Sequence, residues 1–349
     1  MKIKKSINKF LSLSTQKLRF FHFSFFIFHF SFLSICLILQ FFFGEFDIRI
    51  IRAPLNIISG AVMILSLIAL SLFRKNRFYS WLSGIPFSVS LIITIGILAV
   101  FMGLIPQYQK INPHDNDFYA VSGLRSITTS WYFVLIYLFL LLSLGATIIK
   151  RFYSFNIKDY AFYLNHIGLW AFLFAAGFGA ADRERYSMYV YEGKTESNAY
   201  NSDGILIKLP LTITLNDFDM EEYTPESIVV NNKGLKMKPE DIEGLRLTND
   251  YSTVMTSAEP KRFVSDLNVF MHGKEEKHIM LEVNNPYRAG SWMIYQYGYD
   301  SKAGKSSAYS IFEIVYDPWL YGVYAGILLL AAGSVCMLWS GGRNKKYEK

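Results

Sequence analysis

Cysteine is scarce in this chain, with two in 349 residues, Cys36 and Cys336. Both lie in apolar runs, and no Cys-x-x-Cys occurs. That excludes dithiol chemistry by this chain alone and attachment of a prosthetic group to its own Cys-x-x-Cys-His site. Charge is also short: 18% of residues are Asp, Glu, Lys or Arg, where a soluble domain carries about a quarter. Gly-x-Ser-x-Gly, Gly-x-x-x-x-Gly-Lys and His-Glu-x-x-His are all missing, which removes the familiar hydrolase and nucleotide-loop signatures. The long apolar runs hold no carboxylate and no visible repeat, which argues against a proton-driven transporter.

Apolar and aromatic residues are abundant, at 52% and 17%, with 30 Phe and 23 Tyr. Such an excess needs lipid. A formal net charge of +7 would suggest nucleic acid in a soluble protein, but the basic residues cluster in short segments beside the apolar runs. The positive-inside rule accounts for them there, and no nucleic-acid partner is expected.

The fold class expected is a polytopic α-helical membrane protein of six transmembrane helices, with a mostly-β extracytoplasmic domain between helices five and six. Residues 1–19 carry six Lys or Arg and no acid and read as a cytoplasmic tail, not a cleaved signal peptide. Residues 20–77 supply two helices, Phe20–Phe43 and a second from Pro54 to about Phe73, closed by Arg74, Lys75 and Arg77. Residues 78–180 supply three more: Pro86–Ile105, Trp131–Ile149 and Tyr160–Ala180. Residues 181–317 form the outer domain, and 318–349 hold the last helix, Trp319–Trp339, and a basic tail. Each run reaches the roughly 20 residues a bilayer needs. Every segment placed inside is basic, which sets both termini in the cytoplasm and the large domain in the periplasm of a bacterial inner membrane.

Within 181–317, alternating or β-branched stretches predict strands at Ile205–Leu215 (interrupted by Pro210), Phe263–Met271, Ile279–Val283, Trp292–Tyr299 and Ala308–Val315. Asn284-Asn285-Pro286 and Tyr299-Asp300 read as turns. Between Glu221 and Thr248 the pattern predicts loop with a short helix at Pro239–Glu243. An antiparallel sheet or sandwich is expected.

Chemistry centres on histidine. His166 lies about 9 Å into helix five from its cytoplasmic end. An imidazole in hydrocarbon must be paired or face a cavity, so three readings stay open: a hydrogen bond across a helix interface, a metal or haem ligand, or ion coupling. Gly168, Ala171, Ala175, Ala176, Gly177 and Gly179 would let a helix or a flat macrocycle come close. His22 and His29, seven apart, share one face of helix one and read as structural or interfacial. His114, beside Asp115 and Asp117, is a weak metal candidate; His272 and His278 flank a hairpin turn and read as solvated. Trp292, Tyr295, Tyr297 and Tyr299 either line a groove or fill one face of a strand.

Several phrases together resemble the ResB family, also called CcsB, of system II cytochrome c biogenesis. They are Gly103-Leu104-Ile105-Pro106-Gln107 closing a helix, and a helix ending on basic residues, Trp131–Arg151. His166-Ile167-Gly168 then leads to the outer domain, followed by Asn284–Gly290 with Trp292–Gln296, and by Asp317-Pro318 before the last helix. The likeness spans about Phe78–Trp339; Tyr191-Glu192-Gly193 also resembles members from the Bacteroides group, and the first two helices are an addition to the family's core.

The resemblance implies a haem-handling subunit of a cytochrome c synthase complex. A CcsA-like membrane partner would contribute a tryptophan-rich haem-binding segment, which this chain lacks. Haem b would sit at an interface shared with that partner and be delivered to the Cys-x-x-Cys-His thiols of apocytochrome c, with thiol-reducing proteins as further partners. His166 would be one axial ligand of the haem iron. Asn165, Arg151 and Lys158 are candidates on the propionate side, and Trp292, Tyr295 and Tyr297 are candidate partner contacts; no catalytic residue is implied. A different class stays open: a membrane scaffold whose outer domain recruits redox partners while the histidines are structural.

Overall fold

The computed structural model describes residues 31–107, 117–223, 227–231, 236–237, 251–255, 260–271 and 275–341. The basic tails, His22, His29, His114, His272 and the short helix expected at Pro239–Glu243 lie outside these residues. The described chain divides into two compact units, one holding the helices and the other Asp182–Pro318.

The helical unit opens with α1 (Ser31–Phe43), followed by α2 (Leu55–Leu72), α3 (Arg77–Leu82), α4 (Ile85–Leu104), α5 (Phe118–Val121), α6 (Trp131–Phe152), α7 (Tyr160–Gly179) and α8 (Leu320–Gly341). Among the described residues, five helices are long and apolar enough to cross a membrane: α2, α4, α6, α7 with the turn before it, and α8. α1 is apolar but shorter over its described length, and the start expected for helix one precedes it. The chain is thus a multi-pass membrane protein with a separate β domain. Its helices present apolar side chains outward, Leu72, Leu104, Leu328 and Leu338 among them, a surface that lipid must cover.

Local chemistry sets the helix ends. The Ser130 hydroxyl accepts from the amide of Phe133 to cap α6, and Lys150 and Arg151 close it, where cations suit the carbonyl end of the helix dipole. Pro86 stands in the first turn of α4, where its missing N–H costs nothing. Short α3 was not expected from sequence; Asn76 caps it, and buried Tyr79 donates its hydroxyl to the carbonyl of Ala146 on α6 at 2.9 Å.

In lipid there is no hydrophobic force between helices, so close packing and hydrogen bonds hold them. Asn56 Nδ2 donates to Phe178 O (3.1 Å), Tyr137 Oη to Leu173 O (2.6 Å) and Trp170 Nε1 to Leu141 O (3.1 Å). These tie α7 to α2 and α6. α7 meets α8 backbone to backbone: a Cβ added at Gly168 would stand 2.3 Å from Leu330 N, and one at Gly333 2.2 Å from Asn165 N.

The second unit is antiparallel. Its main sheet has eight strands in the order β8-β7-β3-β2-β1-β11-β10-β9. They are β1 (Glu184–Tyr191), β2 (Thr195–Asn201), β3 (Leu206–Glu222), β7 (Pro260–Met271), β8 (Lys277–Glu282), β9 (Tyr287–Ala289), β10 (Trp292–Tyr299) and β11 (Tyr309–Tyr316). A second sheet, β5-β4-β6, joins β4 (Ser227–Asn231), β5 (Lys236–Met237) and β6 (Tyr251–Met255). The main sheet curls over one core formed by Met188, Val190, Ile213, Leu215, Leu267, Ile294, Phe312 and Ile314. Across that curl, buried Ser265 on β7 and Ser310 on β11 share a hydrogen bond of 2.9 Å although their strands are not neighbours.

Three expectations change. β3 runs through Pro210 instead of breaking there. Its pairing with β2 jumps from Lys208↔Asn198 to Ile213↔Glu196, and pairing with β7 begins at Leu211; Pro210 therefore sits in an irregular stretch where no ladder donor is needed. The segment expected as loop after Glu221 carries β4 and β5. β1 and β2 were not expected at all: β1 does alternate, with Tyr186, Met188 and Val190 inward, but β2 buries only Ala199 and leaves little pattern to read. The turn at Asn284 stands as expected, with Asn284 in the left-handed region at φ 63°, which Asn tolerates better than most residues.

Candidate functional site

His166 lies on the second turn of α7. Its ring stacks on Phe162, four residues earlier, with centroids 3.9 Å apart and planes 27° apart. Nδ1 is 3.1 Å from the Phe162 carbonyl oxygen. A carbonyl only accepts, so Nδ1 carries the proton and a neutral ring keeps its lone pair on Nε2. No protein group hydrogen-bonds Nε2 among the described residues. The side chain is half-buried.

The stack continues beyond Phe162. Arg151, in the last turn of α6, sets its guanidinium 5.7 Å from the Phe162 ring centroid and forms an ion pair of 2.7 Å with Asp159, just before α7. Carboxylate, guanidinium, phenyl and imidazole thus follow one another along one end of the helical unit. Lys158 precedes Asp159, with its backbone N–H held by Asn156 Oδ1 at 3.0 Å and its side chain exposed. Asn165 turns to α8, where Nδ2 donates to Ser334 Oγ at 2.8 Å, and that hydroxyl donates to Leu330 O. The structure therefore brings Arg151 toward His166 through Phe162 and engages Asn165 in helix packing.

The small residues of α7 have occupants. Gly168 faces the α8 backbone, Gly177 the ring of Tyr137 and Gly179 the side chain of Trp319. Of the two expectations for that face, a neighbouring helix or a flat group, packing takes these positions. The imidazole itself still fits an iron: a neutral ring, its tautomer held by a backbone acceptor, with Nε2 open is how protein histidines ligate metals. One axial position is all this arrangement supplies, and no group of three or more metal-binding side chains occurs among the described residues.

In the β unit, Trp292 and Tyr295 point to opposite faces of β10, since side chains alternate along a strand. Trp292 packs on Tyr186 and Tyr316 at the core margin. Tyr295 donates to Met293 Sδ at 3.6 Å. Tyr297 is the extra residue of a β-bulge between Gln296 and Gly298 and is 66% exposed. Past that bulge Tyr299 turns inward onto Phe218 and Phe263. The aromatic run is thus not one face. His278 is paired as well as exposed: Nε2 donates to Asp266 Oδ1 at 2.6 Å.

Sequence reading missed Phe162 and its link to Arg151. The signal was available, because an aromatic four residues before a histidine stands on its helical face.

The ResB-like family matches this chain over residues 156–311. Over those residues the chain is similar to that family. Somewhat less than half of the chain is covered, from the turn before α7 to within β11. The ResB-like segment holds the His166 phrase and the Asn284–Gln296 region. The Gly103–Gln107, Trp131–Arg151 and Asp317-Pro318 phrases fall outside it. A search of curated proteins finds no match. Among solved structures, a protein titled cytochrome c heme lyase CcmF is similar at 13% identity and a TM-score of 0.31. The alignment covers 82% of this chain and 46% of that one, so this chain spans less than half the lyase's length.

Proposed function

We propose that this chain is a membrane subunit of the machinery that attaches haem to cytochrome c, and that it acts with a CcsA-like partner. The ResB-like match over residues 156–311 supports a general role in cytochrome c biogenesis. The observation that carries the finer reading is the state of His166 inside that segment, with Nδ1–H committed to the Phe162 carbonyl and Nε2 left to bind iron.

In this reading haem b is cargo. His166 supplies one axial ligand on the cytoplasmic side, and the partner supplies the second. Arg151 stands one ring away and, with Lys158, offers positive charge toward propionates. The β unit would lie in the periplasm, where exposed Tyr297 and half-buried Tyr295 are the contacts for the partner or for apocytochrome c, while Trp292 braces the sheet. Thioether formation then needs positioning by this chain and no acid or base from it.

The test is the absorbance spectrum of the chain purified with a CcsA-like partner, wild type against His166→Ala. A bis-imidazole haem spectrum that collapses in the variant and returns with added imidazole supports the ligand role. Unchanged haem content makes His166 a packing residue and returns the chain to the scaffold reading.

A further inference from the structure

A cavity of about 560 Å³ opens where α2 ends, lined by Ser71, Phe73, Arg74, Lys75, Asn76 and Tyr153 among others. Tyr153 follows the last residue of α6, so two membrane-crossing helices end at this hollow. Its cations are unopposed. Arg74 and Lys75 have no carboxylate partner among the described residues, and no Asp or Glu occurs between Asp47 and Asp115 in the sequence.

The cavity is also built. The Arg74 guanidinium lies 4.0 Å over the Tyr153 ring, and the Tyr153 hydroxyl is hydrogen-bonded to buried Ser71 Oγ at 3.0 Å. Stacking uses one face of the guanidinium plane and leaves its in-plane N–H donors, the geometry that suits phosphate oxygens. Asn76 Oδ1 accepts from the Phe78 amide at 3.0 Å, which leaves its Nδ2 as a further donor.

An apolar track adjoins these donors. Leu65, Ile68 and Leu72 are 64%, 50% and 73% exposed and, spaced three and four apart, form one stripe along α2. We propose that this cavity binds the phosphate headgroup of an anionic membrane phospholipid, with the acyl chains lying along the α2 stripe. A free phosphate would use the donors and have no use for the stripe. Basic hollows at helix ends are where membrane proteins hold such headgroups. The site is independent of the haem reading.

Native mass spectrometry of the full chain in detergent tests this, with phosphatidylglycerol and phosphatidylcholine added in equal amounts. Wild type should retain phosphatidylglycerol preferentially, and salt should weaken the preference. The exposed pair Arg74→Gln/Lys75→Gln should lower it about 30-fold, about fivefold per cation. Tyr153→Ala should lower it less, and Tyr153→Phe should keep most of it. An unchanged melting temperature in these variants separates lost binding from lost fold. Equal retention of both lipids, a preference that survives the double substitution, or full displacement by inorganic phosphate alone would each overturn the proposal.

Discussion

Nδ1 of His166 is 3.1 Å from the carbonyl oxygen of Phe162, and the two rings stack 3.9 Å apart. Two interactions therefore orient the imidazole, and they belong to different parts of Phe162. The hydrogen bond uses the backbone and survives a side-chain change, whereas the stack does not. Phe162→Leu should keep the haem spectrum of the partner complex while broadening it, because the tautomer is retained and only the ring's orientation loosens. His166→Ala should abolish that spectrum. Equal loss in both variants would show that the stack, not the backbone acceptor, governs the ligand.

The contact of α7 with α8 rests on glycine. A methyl at Gly168 or Gly326 would stand 2.3 Å or 2.4 Å from a backbone nitrogen of the other helix, and backbone has little room to yield. Gly168→Ala and Gly326→Ala should each destabilise the helical unit by about 1–3 kcal/mol, read as earlier unfolding in a denaturing-detergent titration. Gly96 on α4 has no atom within 4 Å of an added Cβ, so Gly96→Ala should be neutral or stabilise by up to about 1 kcal/mol. Similar losses at all three positions would refute close packing as the cause.

Much of the helical unit was legible because lipid-spanning helices need long uninterrupted apolar runs, and the ends of α2, α4, α6, α7 and α8 fall within a few residues of those expected. α3 was hidden because six residues give too little periodicity, and its place depends on Tyr79 reaching Ala146. In the β unit, strands with inward β-branched and aromatic residues were readable, while β2 has almost no pattern of its own and owes its place to its neighbours. At His166 the sequence shows the imidazole and the aromatic residue four places before it, but not the hydrogen bond to Phe162, because a backbone carbonyl leaves no mark in a sequence.

Gln107 shows how a short phrase works physically. Nε2 donates to Ile105 O and Leu124 O, both at 2.9 Å, and Oε1 accepts from Ile127 N at 3.1 Å. One side chain thus fixes the end of α4 to the segment before α6. Gln107→Ala should cost about 1 kcal/mol and speed amide exchange at Ile127, measured by hydrogen–deuterium exchange. Gln107→Glu should be worse, since a carboxylate would face two carbonyls without a proton to offer. Unchanged exchange at Ile127 would refute the tie.

Acid should weaken the β unit at defined places. Arg262 donates to Glu282 across β7 and β8 and holds its carboxyl below the ordinary carboxylate range. Glu196 is held low too, chiefly by the Asn198 amide, with the Ser197 amide and the Asn198 side chain adding to it. For a carboxylate whose folded pKa is depressed, stability is present above the unfolded value, about 4.3 for Glu, and is lost as pH falls through the folded one. Amide exchange along β8 should therefore rise below about pH 4, and Glu282→Gln should remove that rise. A variant with the same acid response as wild type would assign the effect to other carboxylates.

The buried Ser265–Ser310 pair carries the sharpest stability prediction. The two hydroxyls satisfy each other at 2.9 Å inside the curled sheet, and both residues are fully buried. Removing one leaves the other without this partner in a dry core, which costs about 1–3 kcal/mol. Removing both deletes the polar demand along with its supply. Ser265→Ala and Ser310→Ala should each lower the melting temperature of the β unit, and the double variant should lose less than the sum. A double-mutant cycle on the full chain measures the difference. Strict additivity would mean the hydroxyls do not depend on each other, and the closure of β7 over β11 would then rest on apolar packing alone.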